Sequence, residues 1–186
     1  MNADQTQKDC KDRMEKALDV LRNELKGLRT GRASPALLDA LRVDYYGQLT
    51  PIKQIASVSA PEAQQLVIKP FDAAALKDIE KAIRGSDLGL SPDNDGKVLR
   101  LKIPAMSGEQ RTKIAKKVKE LAENAKVSCR NVRRDSNKHI ETAEKDKTMS
   151  EDDAKKAKEK IQDILKSYEG QADQLASAKS KEVMDQ

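Results

Sequence analysis

The chain has 186 residues and a formal net charge of +5; 36% of its residues are charged and 2% are aromatic. With one Phe, three Tyr and no Trp, its core must be built from aliphatic side chains, which favours narrow helical seams over one large interior. The sequence contains no long apolar run, and its N-terminus is too charged for a secretory signal. Composition therefore predicts a cytoplasmic protein without a membrane-spanning helix.

The first 30 residues predict a helix with an apolar seam along its length. Its apolar positions are spaced by four, four, three, four and three residues, at Cys10, Met14, Leu18, Leu21, Leu25 and Leu28. A mean spacing of about 3.5 residues is typical of a helix packed lengthwise against other helices. We expect this helix to end near Gly31.

The segment from Gly31 to Gly108 is different, because it contains all six prolines and six of the eight glycines. Ser34 and Pro35 predict the start of a short helix. Alternating and β-branched runs predict strands at 41–46, 55–59, 65–69 and 98–103, with a helix from Asp72 to about Arg84. Nine basic and nine acidic residues between positions 33 and 103 cancel to zero. We interpret residues 32–104 as a separate small α/β domain.

Two long helices are predicted after Pro104. The first spans about 107–147, with a seam at Ile114, Val118, Leu121, Ala125, Cys129, Val132, Ser136 and Ala143. Ser150, followed by three acids, predicts the start of the second. The seam of that helix continues at Ala157, Ile161, Ile164, Tyr168, Ala172, Leu175 and Val183.

Short connections join antiparallel neighbours, so the three long helices should form one bundle. The expected fold class is α+β: an elongated antiparallel three-helix bundle, formed by residues 1–31 and 105–186, with the domain 32–104 inserted. An L shape is expected, with hinges at about 31–34 and 104–106.

Arg130, Arg133 and Arg134 form the densest basic cluster of the chain. From position 111 to 138 there are ten Lys or Arg and three acids, a local balance of +7. Guanidinium groups bind phosphate through paired hydrogen bonds, so the cluster favours a polyanionic partner. The alternative is a solvated helix face with pairing between successive turns. Asp135 is the one acid close to the cluster in sequence, which favours the polyanion.

The remaining candidate residues do not indicate a catalytic or metal-binding site. Cys10 and Cys129 lack metal-ligand spacing and are expected to be buried free thiols. His139 lies on or beside a seam without a catalytic motif and is expected to be a packing residue. The run 93–96 (DNDG) is expected to be a turn, because it lacks the other ligands of a calcium loop. We predict that the chain is not an enzyme and binds no metal or cofactor.

Four motifs together resemble the bacterial ribosome recycling factor family: TGRASP at 30–35, DYYG at 44–47, SDLGL at 86–90 and RNVRRD at 130–135. They occur in the family's order along essentially the whole chain. The resemblance implies an L-shaped protein that mimics the outline of tRNA. It also implies a function at the end of translation, in the A-site region of the post-termination ribosome. There, with elongation factor G and GTP hydrolysis, the protein would split the subunits and release mRNA and deacylated tRNA.

The resemblance also implies sites and partners. Ribosomal RNA would contact Arg29, Arg32, Arg130 and Arg133, and we add Arg134 for its position. The implied hinge residues are Gly31, Arg32, Ala33, Ser34, Pro104, Ala105 and Met106. The expected partners are the 70S ribosome, through large-subunit RNA, and elongation factor G, with a functional link to the initiation factor that prevents subunit reassociation. We expect a monomer that does not bind membranes.

Two alternatives remain open. Arg29 and Arg32 could instead complement the dipole at the end of the first helix. The whole chain could instead be a nucleic-acid-binding or scaffolding coiled-coil protein in which the inserted domain is incidental.

Overall fold

The computed structural model describes residues 2–185 and divides into two compact units. The bundle unit contains the chain up to Leu28 and from Gly108 onward, and the inserted unit is Arg29–Ser107. The predicted boundaries, after residue 31 and before residue 105, fall inside the inserted unit. No helix within residues 2–185 is long and apolar enough to cross a membrane.

Residues 2–185 form five α-helices, one 3₁₀ helix and six strands. In chain order they are α1 (Ala3–Gly27), the 3₁₀ helix (Pro35–Leu38), β1 (Arg42–Tyr45), β2 (Gln48–Pro51), α2 (Ile52–Ile55), β3 (Ala56–Glu62), β4 (Gln65–Pro70), α3 (Ala75–Arg84), β5 (Pro92–Asn94), β6 (Leu99–Lys102), α4 (Gly108–Lys145) and α5 (Glu151–Met184).

Side-chain caps fix where two of the long helices begin. Asn2 accepts a hydrogen bond from the Gln5 amide at 2.8 Å, and Gln5 accepts one from the Asn2 amide at 3.0 Å, which is a reciprocal capping box. Ser150 Oγ accepts from the Asp153 amide at 3.1 Å, which confirms the predicted start of α5. The helix α1 ends at Gly27, earlier than predicted, because the next residue, Leu28, is extended.

The bundle unit is an antiparallel three-helix bundle, as predicted. Each of its helices packs against the other two. Asn2 and Gln7 border the same surface cavity as Ser150, and Glu15 contacts Tyr168, so α1 and α5 run in the same direction.

The predicted seams form the core of this bundle. Its buried residues include Cys10, Met14, Leu18, Leu21, Val118, Cys129, Val132, Ile140, Ile161, Leu165, Tyr168 and Ala172. The expectation for His139 was wrong: its side chain is exposed, and the neighbouring Ile140 is fully buried. On α5 the seam passes through Leu165, whereas Ile164 is half-buried.

The inserted unit is built on two antiparallel sheets. β1 and β2 form a hairpin, and the second sheet has the order β3-β4-β6-β5. Tyr46 and Gly47 connect β1 to β2 with positive φ angles of 52° and 78°, the conformation of a tight hairpin turn. The predicted strand therefore ends at Tyr45. We missed β2, α2 and β5, which are short and carry no repeated apolar pattern.

A second hydrophobic core lies in the inserted unit. It combines Leu38, Val43, Ile52, Leu66, Ile68, Ile79, Ile83, Leu99 and Leu101. The helix α3 begins at Ala75, later than predicted, although Asp72 Oδ1 still accepts from the Ala74 amide at 3.0 Å.

The turn predicted at 93–96 begins only at Asp95, since Asp93 and Asn94 belong to β5. Asp95 Oδ1 accepts hydrogen bonds from the amides of Lys97 and Val98 at 3.0 and 2.8 Å. These bonds lower the pKa of the Asp95 carboxyl, that from Val98 most. The Asp95 carboxylate is therefore held by backbone amides of the turn in which it lies.

Candidate nucleic-acid interface

The central part of α4 presents the predicted arginine cluster outside the core. Cys129 and Val132 point into the bundle and fix the rotation of the helix. As a result Arg130 and Arg134 are exposed and Arg133 is half-buried. A guanidinium with a partly buried stem can keep its charged end at the surface.

Arg130 is held by two carboxylates. Its Nε donates to Glu169 Oε1 on α5 at 2.7 Å, and its Nη1 donates to Glu123 Oε1 on α4 at 2.9 Å. These carboxylates, Glu169 more than Glu123, raise the pKa of the Arg130 guanidinium. Its charge is therefore largely compensated within the bundle unit.

Lys126, one turn earlier on α4, is compensated in the same way. Its Nζ lies 3.0 Å from Asp173 Oδ1 on α5 and 3.1 Å from Glu123 Oε2. Both carboxylates, Asp173 first, raise the pKa of the lysine. In turn, Lys126 and then Arg130 lower the pKa of Glu123.

Arg133 has no carboxylate partner among the described residues. Its Nη1 donates to the neutral side chain of Gln162 on α5, at 3.3 Å from Oε1. Its Nε is buried and makes no hydrogen bond within residues 2–185, and the same is true of Asn137 Oδ1, one turn further along α4. The positive charge of Arg133 is therefore not compensated by a carboxylate, and its terminal nitrogens keep most of their capacity to donate.

Arg134 is the member of the cluster that follows Arg133 directly along α4. It is exposed, and across residues 2–185 it forms no ion pair or side-chain hydrogen bond. Both Arg133 and Arg134 are thus available to an external anion.

From the sequence, Asp135 was the one acid close to this cluster, and the structure assigns the acids differently. Asp135 pairs across the bundle with Arg13 of α1, at 2.8 Å, and that guanidinium lowers the pKa of Asp135. The cluster's compensating acid from α5 is Glu169, which is 39 residues from Arg130 in the chain. Inspection of nearby sequence could not find it. Aligning α4 with an antiparallel α5, residue by residue, would have identified Glu169 as the partner of Arg130.

Arg29 and Arg32 lie in the inserted unit. Arg29 Nη2 donates to the backbone carbonyl of Asp87 at 3.3 Å, and Arg32 is exposed. The structure therefore groups three of the five predicted arginines on α4 and places these two in the other unit.

Two connecting segments, the predicted hinges at 31–34 and 104–106, lie at or next to backbone hydrogen bonds to the turn between β3 and β4. The Ala33 amide donates to the Ala63 carbonyl at 2.7 Å, and the Ile103 amide donates to the Gln64 carbonyl at 2.8 Å. Gly31 has a φ of 74°, a conformation that disfavours other residues.

The two cysteines are buried free thiols, as predicted. Burial, aided by the charge of Glu169, raises the pKa of Cys129 to about 11. At neutral pH this thiol is therefore protonated and a poor nucleophile.

Together these observations define a class: α+β proteins in which an antiparallel three-helix bundle with a basic helix carries a small inserted α/β unit. The family model described as "Ribosome recycling factor" matches residues 21–184. The chain belongs to the ribosome recycling factor family, which confirms the resemblance drawn from its motifs.

Similar proteins span nearly the whole chain. The ribosome-recycling factor of Symbiobacterium thermophilum is 47% identical over 178 residues, covering 96% of each chain. That of Halalkalibacterium halodurans is 49% identical over 177 residues, covering 95% of this chain and 96% of the relative.

Two solved structures are also similar. A solution structure of the ribosome recycling factor has a TM-score of 0.81 at 38% identity and covers 100% of this chain and 99% of its own. A second is the T. thermophilus ribosome recycling factor, from models in which it and the E. coli elongation factor G are bound to the E. coli post-termination complex. It has a TM-score of 0.68 at 43% identity and covers 99% of this chain and 100% of its own.

Proposed function

We propose that this chain recycles ribosomes after translation ends. It binds the post-termination ribosome in the A-site region and, with elongation factor G and GTP hydrolysis, separates the subunits and releases mRNA and deacylated tRNA. The observation that carries this proposal is the family match, which extends over both units. The T. thermophilus relative, described with elongation factor G on a post-termination complex, supports the choice of partners.

In this proposal the bundle unit docks on large-subunit ribosomal RNA through α4. Arg133 and Arg134 supply the charges that are free to meet phosphate, while Arg130 is shared with carboxylates. Arg29 and Arg32 provide further phosphate contacts from the inserted unit. Phosphate contacts of this kind give affinity and orientation without sequence selectivity.

The inserted unit is the part on which elongation factor G acts. We infer that bending occurs at 31–32 and 104–106, because Ala33 and Ile103 are tied by backbone hydrogen bonds to the turn at Ala63 and Gln64. Ser34 is held as well, since its Oγ accepts from the Ala36 amide at 3.3 Å. These anchors would make the part of the inserted unit between the two bending segments, residues 33–103, move as one body.

The proposed role needs no chemical reaction catalysed by the chain itself, since the energy comes from GTP hydrolysis by elongation factor G. It places the protein in the cytoplasm, where ribosomes are, as a monomer. It also links the protein to the initiation factor that prevents the freed subunits from joining again.

Light scattering of vacant bacterial 70S ribosomes tests this function directly. We expect scattering to fall when the chain, elongation factor G and GTP are all present, and to stay constant when any one of them is omitted. Unchanged scattering with all three would refute the proposal. Equal affinity for ribosomes and for arbitrary duplex RNA would favour the coiled-coil alternative.

A further inference from the structure

A row of side chains on α5 faces the basic row on α4. Reading antiparallel along the two helices, Lys126 meets Asp173 at 3.0 Å, Arg130 meets Glu169 at 2.7 Å, and Arg133 meets Gln162 at 3.3 Å. Each basic side chain is thus held by one acceptor across the helix pair.

The third of these contacts differs from the others in charge. Asp173 and Glu169 are carboxylates, and both raise the pKa of the cation they contact. Gln162 accepts a hydrogen bond through a neutral amide oxygen, so it can orient Arg133 without compensating its positive charge. A carboxylate here would form a charge-assisted pair that competes with phosphate for the same donors.

The hydrogen-bond inventory of the two arginines supports the same distinction. Arg130 uses both Nε and Nη1 on carboxylates. Arg133 uses one Nη1 hydrogen on Gln162, and its buried Nε donates to no group within the described residues. Because that Nε is buried, Arg133 can meet an external anion through its terminal nitrogens, and within residues 2–185 neither of these is held by a carboxylate.

We propose that Gln162 is the positioning residue of Arg133, and that its neutrality leaves the positive charge of Arg133 uncompensated and free to pair with a phosphate of the bound RNA. This inference rests on the proposed function, because it assumes that Arg133 contacts RNA. It gives α5 a part in anion binding, although none of the predicted RNA-contact residues lies on that helix.

The decisive substitution is Gln162→Glu, which keeps the side-chain shape and adds a charge. We expect Q162E to bind vacant bacterial 70S ribosomes about tenfold more weakly at low salt. The slope of log affinity against log salt should shrink by about 0.7–0.9, the value for one phosphate. Gln162→Ala keeps the charge of Arg133 but removes its support, so it should weaken binding about twofold to threefold at an unchanged slope.

The matched control is Gln174→Glu, which makes the same chemical change on an exposed position of the same helix. We expect Q174E to bind like the wild type. In an Arg133→Ala background, Q162E should have less than a twofold further effect, because its target is gone. Urea unfolding of each variant confirms that the bundle is retained.

The possible failures can be told apart. If Q162E keeps wild-type affinity and slope while R133A binds weakly, the role of Gln162 is overturned and the proposed function stands. If Q174E is as damaging as Q162E, or Q162E is equally damaging without Arg133, added negative charge alone explains the effect and the inference fails. Subunit splitting, measured by light scattering, tests the proposed function independently.

Discussion

Tyr168 of α5 donates a hydrogen bond from its hydroxyl to Glu15 Oε2 of α1, at 2.8 Å. The other oxygen of Glu15 accepts from Arg22 at 2.7 Å. The Tyr168 side chain is 4% exposed, and a buried hydroxyl needs such a partner. Burial, reinforced by Glu15, raises the pKa of Tyr168 to about 12, and Arg22 followed by Tyr168 lowers the pKa of Glu15.

This contact predicts how stability depends on alkaline pH. The pKa of Tyr168 is raised in the folded state, so its contribution is complete below the unfolded value of about 10 and is lost as pH rises through about 12. The wild type should lose about 2–3 kcal/mol relative to Tyr168→Phe across this window. Guanidinium unfolding of both proteins at pH 9 to 12 measures the difference.

The control for this experiment is Tyr46→Phe, which removes the same hydroxyl from a side chain that is 79% exposed. It should change the free energy of unfolding little. A constant difference between wild type and Y168F from pH 9 to 12 would contradict the proposed role of the buried hydroxyl.

Arg133→Ala should weaken ribosome binding about tenfold at low salt, with the fold retained. Removing one phosphate contact should also shrink the salt slope by about 0.7–0.9. Arg84→Ala is the matched control, since Arg84 is an exposed arginine of α3 paired with Glu80 at 2.8 Å. Titration of labelled ribosomes at several salt concentrations measures both variants, and identical curves for them would remove Arg133 from the site.

Leu66→Ala should destabilise the inserted unit by about 2–5 kcal/mol, because it leaves a cavity in a tightly packed core. The side chain of Leu66 is fully buried, whereas that of Leu49 in the same unit is 70% exposed. Leu49→Ala should therefore change stability by no more than about 0.5 kcal/mol. Amide hydrogen exchange, followed separately in the two units, locates the effect, and an equal loss in both variants would contradict this core assignment.

Linking the two connecting segments should separate binding from splitting. Cysteines are introduced at Arg32 and Ala105 and joined by a bifunctional maleimide. Both the linked and the unlinked protein lack Arg32, one of the proposed phosphate contacts, so the two are compared with each other. Linking should change ribosome affinity by no more than about threefold and should abolish subunit splitting, if hinge motion transmits the force. The native Cys10 and Cys129 are buried and should react slowly. The unlinked double-cysteine protein is the control, and full splitting by the linked protein would rule out the moving-unit mechanism.

The sequence by itself determined the helical seams, the start of α5 and the change in composition between the bundle helices and the inserted segment. Cys10, Met14 and Leu18 could be assigned to the core because an apolar period is a local property that each residue shares with its neighbours along the helix. Ser150 could be read as a cap for the same reason. The motifs were sufficient to identify the family.

Only the tertiary structure decided which charges remain free. Glu169 lies 39 residues from Arg130, and Gln162 lies 29 residues from Arg133. These partners meet because α5 folds back along α4, a register that local periodicity does not specify. Asp135, close to the arginines in sequence, is instead turned towards Arg13. Electrostatic compensation depends on distance in space, and so the binding capacity of the basic helix is a property of the packed bundle.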